Sequence, residues 1–319
     1  MPTNYLVACS ARISQRYVGN VNLAVEAGNA TKTETRENLA YSCGSYISDR
    51  YLDLMRDCLT ESWDPVTYPR GGWQGYALAP LQALLRLKRI HLCRPFQYSA
   101  GKRSIGDDWP PEAETMIGLE RLANLRKCCI SAVRDGIPGD FCETGVWRGG
   151  ACIYMRAVLE AMQEIARNVW VCDSFEGLPK PTCAADGKLN KSGQMNMPGT
   201  LWRYKQLAIS LDDVKRNFAR YGLLDDRVRF VKGWFGESLP RAPIQQLSVL
   251  RLDGDLYEST WDAMVNVYPK LSVGGYLIVD DYESKDQCGR AIHDYRDRYG
   301  ITDSIERIDG RGVFWQRSK

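Results

Sequence analysis

The sequence predicts an α/β protein, a mostly parallel seven-stranded sheet with helices on both faces and a helical extension before it. Three observations carry that expectation. From residue 140 onward, short apolar runs alternate with amphipathic stretches, the pattern of strands joined by helical crossovers. Two apolar runs, Leu250-Arg251-Leu252 and Leu277-Ile278-Val279, end in the acids Asp253-Gly254-Asp255 and Asp280-Asp281. Such runs read as buried parallel strands, and in an open α/β sheet ligands bind beyond the strands' carboxyl ends. A glycine-rich turn, Gly145 to Gly150, follows the first run of the series.

Residues 1–46 are polar and mixed, with Gly19, Gly28 and Gly44 interrupting any period, and they form an extension of unknown role. A helix is expected over 47–59, where Ile47, Tyr51, Leu52, Met55 and Cys58 fall near helical spacing. Residues 60–77, with Pro65, Pro69 and Gly71-Gly72, read as loop. Residues 78–93 read as a helix whose Arg86, Lys88 and Arg89 make a solvated face, and 94–111 as a loop closing on Pro110-Pro111. Glu112 to Arg134 is the strongest helix of the first half, apolar along Met116, Ile117, Leu119, Leu122, Leu125 and Cys129, and stopped at Gly136-Ile137-Pro138-Gly139.

The alternating series then runs strand 140–144, helix 149–164, strand 168–173, loop 176–205, helix 210–221 and strand 227–232. It continues with strand 247–253, helix 259–271, strand 275–280 and helix 286–299. Two late strands, near 304–308 and 312–316, read as a hairpin about Gly310 and Gly312.

With 319 residues, 44% hydrophobic and 25% charged, the chain can bury a full core. A net charge of +3 is too small and dispersed to argue for nucleic acid. No apolar run approaches the roughly 20 residues of a membrane span, and Met1 to Leu6 lacks the basic start and apolar core of a signal peptide. Eleven cysteines are present; Cys128, Cys142, Cys152 and Cys172 lie in apolar runs, and no paired C-x-x-C suggests zinc. A reducing, cytoplasmic setting is expected.

Asp253, Asp280 and Asp281, at two strand ends, could meet and hold a hard divalent cation; without one they would raise each other's pKa. The turn Glu143-Thr144-Gly145-Val146-Trp147-Arg148-Gly149-Gly150 is spaced G-x-x-x-G-G, whereas a dinucleotide fingerprint needs G-x-G-x-x-G. An acid at position 143 repels a pyrophosphate but can pair with the amino group of an amino acid, which favours S-adenosylmethionine over NAD. The next strand ends in Asp173-Ser174, suited to ribose hydroxyls, and the third in Gly233-Trp234-Phe235, suited to stacking on adenine.

These motifs, with Thr115-Met116-Ile117-Gly118, Asp173-Ser174-Phe175-Glu176-Gly177, Asp253-Gly254-Asp255-Leu256-Tyr257 and Asp280-Asp281-Tyr282, carry a resemblance. Glu112 to Trp315 resembles the macrocin O-methyltransferase (TylF/MycF) family of magnesium-dependent sugar O-methyltransferases, with weaker similarity back to about Tyr51. The resemblance implies a class I methyltransferase, Rossmann-like fold and S-adenosyl-L-methionine as donor. It implies Mg2+ on Asp253, Asp280 and Asp281, and Asp255 as general base. The donor site would be formed by Thr115, Met116, Glu143, Thr144, Gly145, Val146, Trp147, Arg148, Gly149, Asp173, Ser174, Gly233, Trp234 and Asp253. The acceptor would be a small molecule with a hydroxyl, a glycosylated natural product. Residues 112–319 would form the methyltransferase domain and 47–111 a helical lid and dimer contact, so a homodimer is expected.

The first 46 residues have no counterpart in that pattern, and neither does the loop 179–207 with Lys188, Lys191, Met195 and Met197, which would lie over the acceptor's entrance. His293 is a second candidate base. A catechol-type O-methyltransferase would use a lysine base, but no Lys lies between Asp253 and Trp261. The acidic triad counts against a catalytically silent binding module, and the glycine spacing against a nicotinamide oxidoreductase.

Overall fold

The computed structural model describes residues 34–62, 67–69, 76–87, 90, 92–95, 99–108, 110, 112–183, 185–186, 202–283 and 286–319. The chain divides into two compact units, Met1–Tyr46 and Ile47–Lys319. Of the first, the described residues 34–46 are helical.

The second unit is organised on a seven-stranded sheet among the described residues. Its strands are β3 (Asp140–Thr144), β4 (Val169–Asp173), β5 (Val228–Lys232), β6 (Leu247–Leu252), β7 (Leu271–Val279), β8 (Glu306–Arg307) and β9 (Val313–Gln316), in the order β5-β4-β3-β6-β7-β9-β8. The pairs β3–β4, β4–β5, β3–β6 and β6–β7 are parallel; β9 runs antiparallel to β7 and to β8. Strand order reverses beside β3, and that is where an open sheet leaves a crevice for ligands. Register sets what meets there. Thr144 pairs with Leu252, and Leu252 with Val279, so Gly145, Asp253 and Asp280 leave three adjacent strands side by side.

Helices cover both faces. On one lie the carboxyl half of α1 (Glu34–Thr60), through Leu52, Met55 and Leu59, with α4 (Leu119–Arg134), α5 (Gly150–Ala161) and α6 (Leu211–Arg220). On the other, α8 (Tyr257–Val267) contributes Ala263, Met264 and Val267, and α9 (Asp286–Tyr299) contributes Cys288, Ile292 and Tyr295. Each apolar stripe is thereby removed from water, at roughly 1.5–3 kcal/mol per large side chain. Short elements complete the unit: β1 (Thr67–Pro69) antiparallel to β2 (Cys93–Pro95), α2 (Ala79–Arg86), α3 (Ala100–Ile105) and α7 (Phe235–Ser238). No helix among the described residues is long and apolar enough to cross a membrane.

Several expected boundaries move. The helix expected from Glu112 begins at Leu119. Before it, the amides of Glu114 and Thr115 donate to the carbonyl of Leu59, at 3.0 and 3.2 Å, and Thr115 Oγ1 accepts from the Ile117 amide at 3.2 Å. These bonds divert 113–117 from helical pairing. A Cβ on Gly118 would meet the Ser104 carbonyl oxygen at 2.3 Å, so the chain passes α3 at backbone contact. Gly44 does not interrupt α1, which is helical from Glu34. The 259–271 helix starts two residues early, at Tyr257, and gives way to a 3-10 turn at Tyr268–Lys270, whose Pro269 cannot continue it. Strand β7 begins at Leu271 rather than 275, with Gly274 and Gly275 inside it. The loops 60–77 and 94–111 hold β1 and α3, too short for periodicity to reveal. Gly19, Gly28, Pro65, Gly71-Gly72, Lys88, Arg89, Pro111, Lys188, Lys191, Met195 and Met197 lie outside the described residues.

Candidate active site

A cavity of about 880 Å³ opens over the carboxyl ends of β3, β4, β6 and β7. Backbone bonds step along the strand ends that frame it: Asp280 N donates to Leu252 O at 2.9 Å, Asp253 N to Thr144 O at 2.8 Å, and Gly145 N to Cys172 O at 2.9 Å. Gly145 has φ +87 and Trp147 φ +47, and this tight turn carries Val146 and Trp147 onto the cavity wall.

Asp173, at the end of β4, also lines the cavity, and both its oxygens grip the chain. One accepts from the Val146 amide and the other from the Phe175 amide, each at 2.7 Å. Burial pushes its carboxyl up, against the pull of those amides. Asp173 thus fixes the glycine turn as well as facing the ligand space.

Thr115, Met116, Glu143, Ser174 and Trp234 line the same cavity. Thr144, Arg148, Gly149 and Gly233 do not; their contacts hold the chain around it. Thr144 lends its carbonyl to Asp253; Arg148 donates to Ala113 O at 2.8 Å and lies over the Trp147 ring; Gly149 is the N-cap of α5; Gly233 N donates to Asp173 O at 2.9 Å.

Beside the glycine turn on the cavity wall, oxygens of Asp253, Asp280 and Asp281 lie within 4.8 Å of one another. Two arginines not singled out in the sequence reading serve this cluster. Arg251, fully buried on β6, contacts Glu143 and Asp280 and donates to Asp253 at 2.9 Å. Arg121, on α4, contacts the second oxygen of Asp280, reaches Asp309 at 3.0 Å and donates to Ile105 O at 3.0 Å. A guanidinium inside an otherwise apolar buried strand is the signal that marks Arg251, because a buried charge needs partners. Arg121 carries no such signal, since it falls among ordinary helix-surface positions.

Glu143 lines the cavity with both oxygens engaged inside the chain, one by Arg251 and one by the Cys152 thiol at 2.8 Å. Four carboxylates, those of Glu143, Asp253, Asp280 and Asp309, therefore share two guanidiniums, with Asp281 beside them. Burial pushes Asp253 well above the usual carboxylate range, with Asp280 adding to the push. Burial also raises Asp280, but Arg251 and Arg121 outweigh it and hold its carboxyl low. A cluster of hard oxygens with surplus negative charge fits a divalent cation.

Asp255 lines the cavity two residues beyond Asp253, with φ +57. His293 does not line it: on the exposed face of α9, its Nε2 sits 2.8 Å from the Tyr282 hydroxyl. Of the two candidate bases, only Asp255 faces the ligand space.

The macrocin O-methyltransferase (TylF) family model matches residues 48–317. A tetracenomycin 4'-O-methyltransferase of Streptomyces olivaceus, acting on the 8-demethyl-8-(2,3-dimethoxy-alpha-L-rhamnosyl) form, is 47% identical over 270 residues, covering 85% of this chain and 93% of that one. Mycinamicin III 3''-O-methyltransferase of Micromonospora griseorubida is 52% identical over 219 residues, 68% of this chain and 83% of that one. Among solved structures, the O-methyltransferase NovP superposes with a TM-score of 0.71 at 43% identity, covering 85% of this chain and all 100% of that one.

Proposed function

The chain belongs to the macrocin O-methyltransferase family and is an O-methyltransferase; from that premise we propose that it methylates a sugar hydroxyl of a glycosylated natural product, with S-adenosylmethionine as donor and Mg2+ on Asp253, Asp280 and Asp281. The observation that carries the reading is one cavity that joins three clustered carboxylates, Asp255, the Gly145 turn and Asp173.

When bound, S-adenosylmethionine supplies an electrophilic methyl group and magnesium a positive charge that lowers the pKa of an acceptor hydroxyl. The chain's own part is alignment and proton removal. The Gly145–Trp147 turn, fixed by Asp173, and Trp234 hold the donor. Arg251 and Arg121 hold Asp280 on the neighbouring strand end, which sets where the acceptor oxygen stands. Asp255 takes the proton of that oxygen at its carboxylate.

Charge supports a neutral acceptor. Asp173, Glu237, Asp255, Glu258 and Asp262 line the cavity, while Arg121, Arg251 and Arg311 are each paired to a carboxylate. Such a wall suits a cationic donor and repels an anionic acceptor. No lysine lines the cavity among the described residues, which disfavours a catechol-type base. One relative acts on a rhamnosyl compound by name, which supports a sugar acceptor. Leu81, Leu84 and Leu87, spaced along the exposed side of α2, support a homodimer built through 47–111; Gly106, on the cavity wall, supports a lid role for the same region.

The test is calorimetry with S-adenosylhomocysteine and with NAD, each with and without Mg2+, followed by a mass-shift screen of glycosylated and phenolic acceptors. A 14-Da gain on a glycoside that depends on Mg2+ is expected. NAD binding in place of S-adenosylhomocysteine, or full turnover in chelator, would overturn the reading.

A further inference from the structure

We infer that Asp186 is a positioning residue for methyl transfer: it caps α8 from a distant loop and thereby sets the turn that carries Asp255. The inference rests on the reading of Asp255 as base. Helix α8 starts directly after the turn Asp253–Leu256, and its N-cap, Leu256, has no side chain able to cap it. The first amides of a helix have no partner within it. Here Asp186 supplies one. Its two oxygens accept from Tyr257 N at 2.6 Å and Glu258 N at 3.1 Å, across 71 and 72 residues of sequence. The residue is fully buried, at 0% exposure. A buried carboxylate on two backbone amides at a helix start makes charge-assisted bonds and meets the positive end of the helix dipole.

What the cap holds is costly to hold. Asp255 sits at φ +57, a left-handed conformation that aspartate enters more readily than most side chains but that is still less favourable than the ordinary backbone regions. Leu256 N closes the turn on Gly254 O at 2.6 Å from one side, and Asp186 closes it from the other through Tyr257 and Glu258. The same loop forms cavity wall: the Thr182 hydroxyl contacts the Glu258 carboxylate, both line the cavity, and the Cys183 thiol donates to Asp186 at 3.2 Å. Cys183, Asp186 and Glu258 come within 4.8 Å of one another, but both Asp186 oxygens serve backbone amides, so the cluster is a clasp and not a cation site. One carboxylate joins the loop before the acceptor side to the turn that presents the base. The donor end, on β3 and β4, lies outside this link.

The experiment compares the full chain with Asp186→Ala and Asp186→Asn. Peptide-level hydrogen exchange over 254–260 should quicken by roughly 5- to 30-fold in Asp186→Ala, the range a lost cap corresponds to. S-adenosylhomocysteine affinity and the KM for the donor should stay within about twofold, while kcat on a glycoside the wild type methylates falls roughly tenfold. Asp186→Asn, which keeps one of the two acceptor oxygens and loses the charge, should restore part of both losses. Unchanged exchange and kcat in Asp186→Ala would overturn the inference. So would a parallel fall of donor affinity, melting temperature and kcat, since that is what a general structural role gives. Should Asp186→Ala not fold, Asp186→Ser, a shorter cap, is compared in its place. A wild type that methylates no glycoside defeats the functional reading alone, and the exchange data then decide the cap.

Discussion

The carbonyl oxygen of Asp253 stands 1.9 Å from the point that a Cβ on Gly145 would occupy. Two strand ends that carry the glycine turn and the acidic cluster are thus in backbone contact, and Gly145 adds a φ of +87. Gly145→Ala meets both a clash with rigid backbone and a strained conformation, at about 1–3 kcal/mol for the strain alone. We expect a melting temperature several degrees lower and S-adenosylhomocysteine binding weakened by at least about tenfold, read by calorimetry. Wild-type affinity in that variant would mean that the turn and β6 can separate freely.

Arg251→Met removes the guanidinium that Glu143, Asp253 and Asp280 share. Leaving buried charges without a partner costs about 3–5 kcal/mol, which lowers the melting temperature by about 10 °C. The acidic cluster is then less compensated, so added Mg2+ should raise the melting temperature of Arg251→Met more than that of the wild type. Equal shifts in thermal unfolding would show that the cation does not enter this cluster.

Much of this arrangement is legible in the sequence because it rests on local pattern. The runs before Asp253 and Asp280 read as strands since both faces of the sheet are covered, and register then places their acids together. The alternation from Asp140 onward gave strand order no voice, yet it named every strand of the large sheet. What escapes is non-local. Residues 113–117 leave the helical path because Leu59 takes the amides of Glu114 and Thr115, a contact across more than fifty residues. Asp186 caps a helix 71 residues away, and its own surroundings read only as loop. Arg121 sits on a helix whose pattern assigns it no face. Glu143 shows the same limit differently: its place by the glycine turn is visible, but its bond to Arg251 is not.

Asp225 gives a pH-dependent prediction. Burial is the largest single influence and raises its carboxyl, but hydrogen bonds from Arg156 and Arg227 together outweigh it and bring the carboxyl down to about 2. A carboxyl whose pKa is lower when folded adds stability at pH above its unfolded value, near 3.8, and loses it as pH falls toward 2. Asp225 is partly exposed, so screening keeps the gain below about 1 kcal/mol. Asp225→Asn should therefore melt up to about 2–4 °C below wild type at pH 7, and the gap should close between pH 4 and pH 2. A gap constant across that range would place the variant's effect in packing and not in charge.

The last prediction separates cation from base. Asp280→Asn keeps shape but takes a charge from a cluster whose cation needs anionic oxygen, and it also strips Arg251 and Arg121 of a shared partner. Its activity should fall steeply, and excess Mg2+ should restore part of it. Asp255→Asn leaves that cluster whole, so magnesium and S-adenosylhomocysteine affinity should stay near wild type while kcat drops by roughly 10²–10⁴. The two variants then fail in different measurements, one in the metal titration and one in turnover alone. His293→Ala gives the control: its ring meets Tyr282 away from the cavity, so kcat should hold within about twofold. Loss of magnesium affinity in Asp255→Asn would make Asp255 a ligand, and the acceptor's proton would then need another base on the cavity wall, where Glu258 and Asp262 stand.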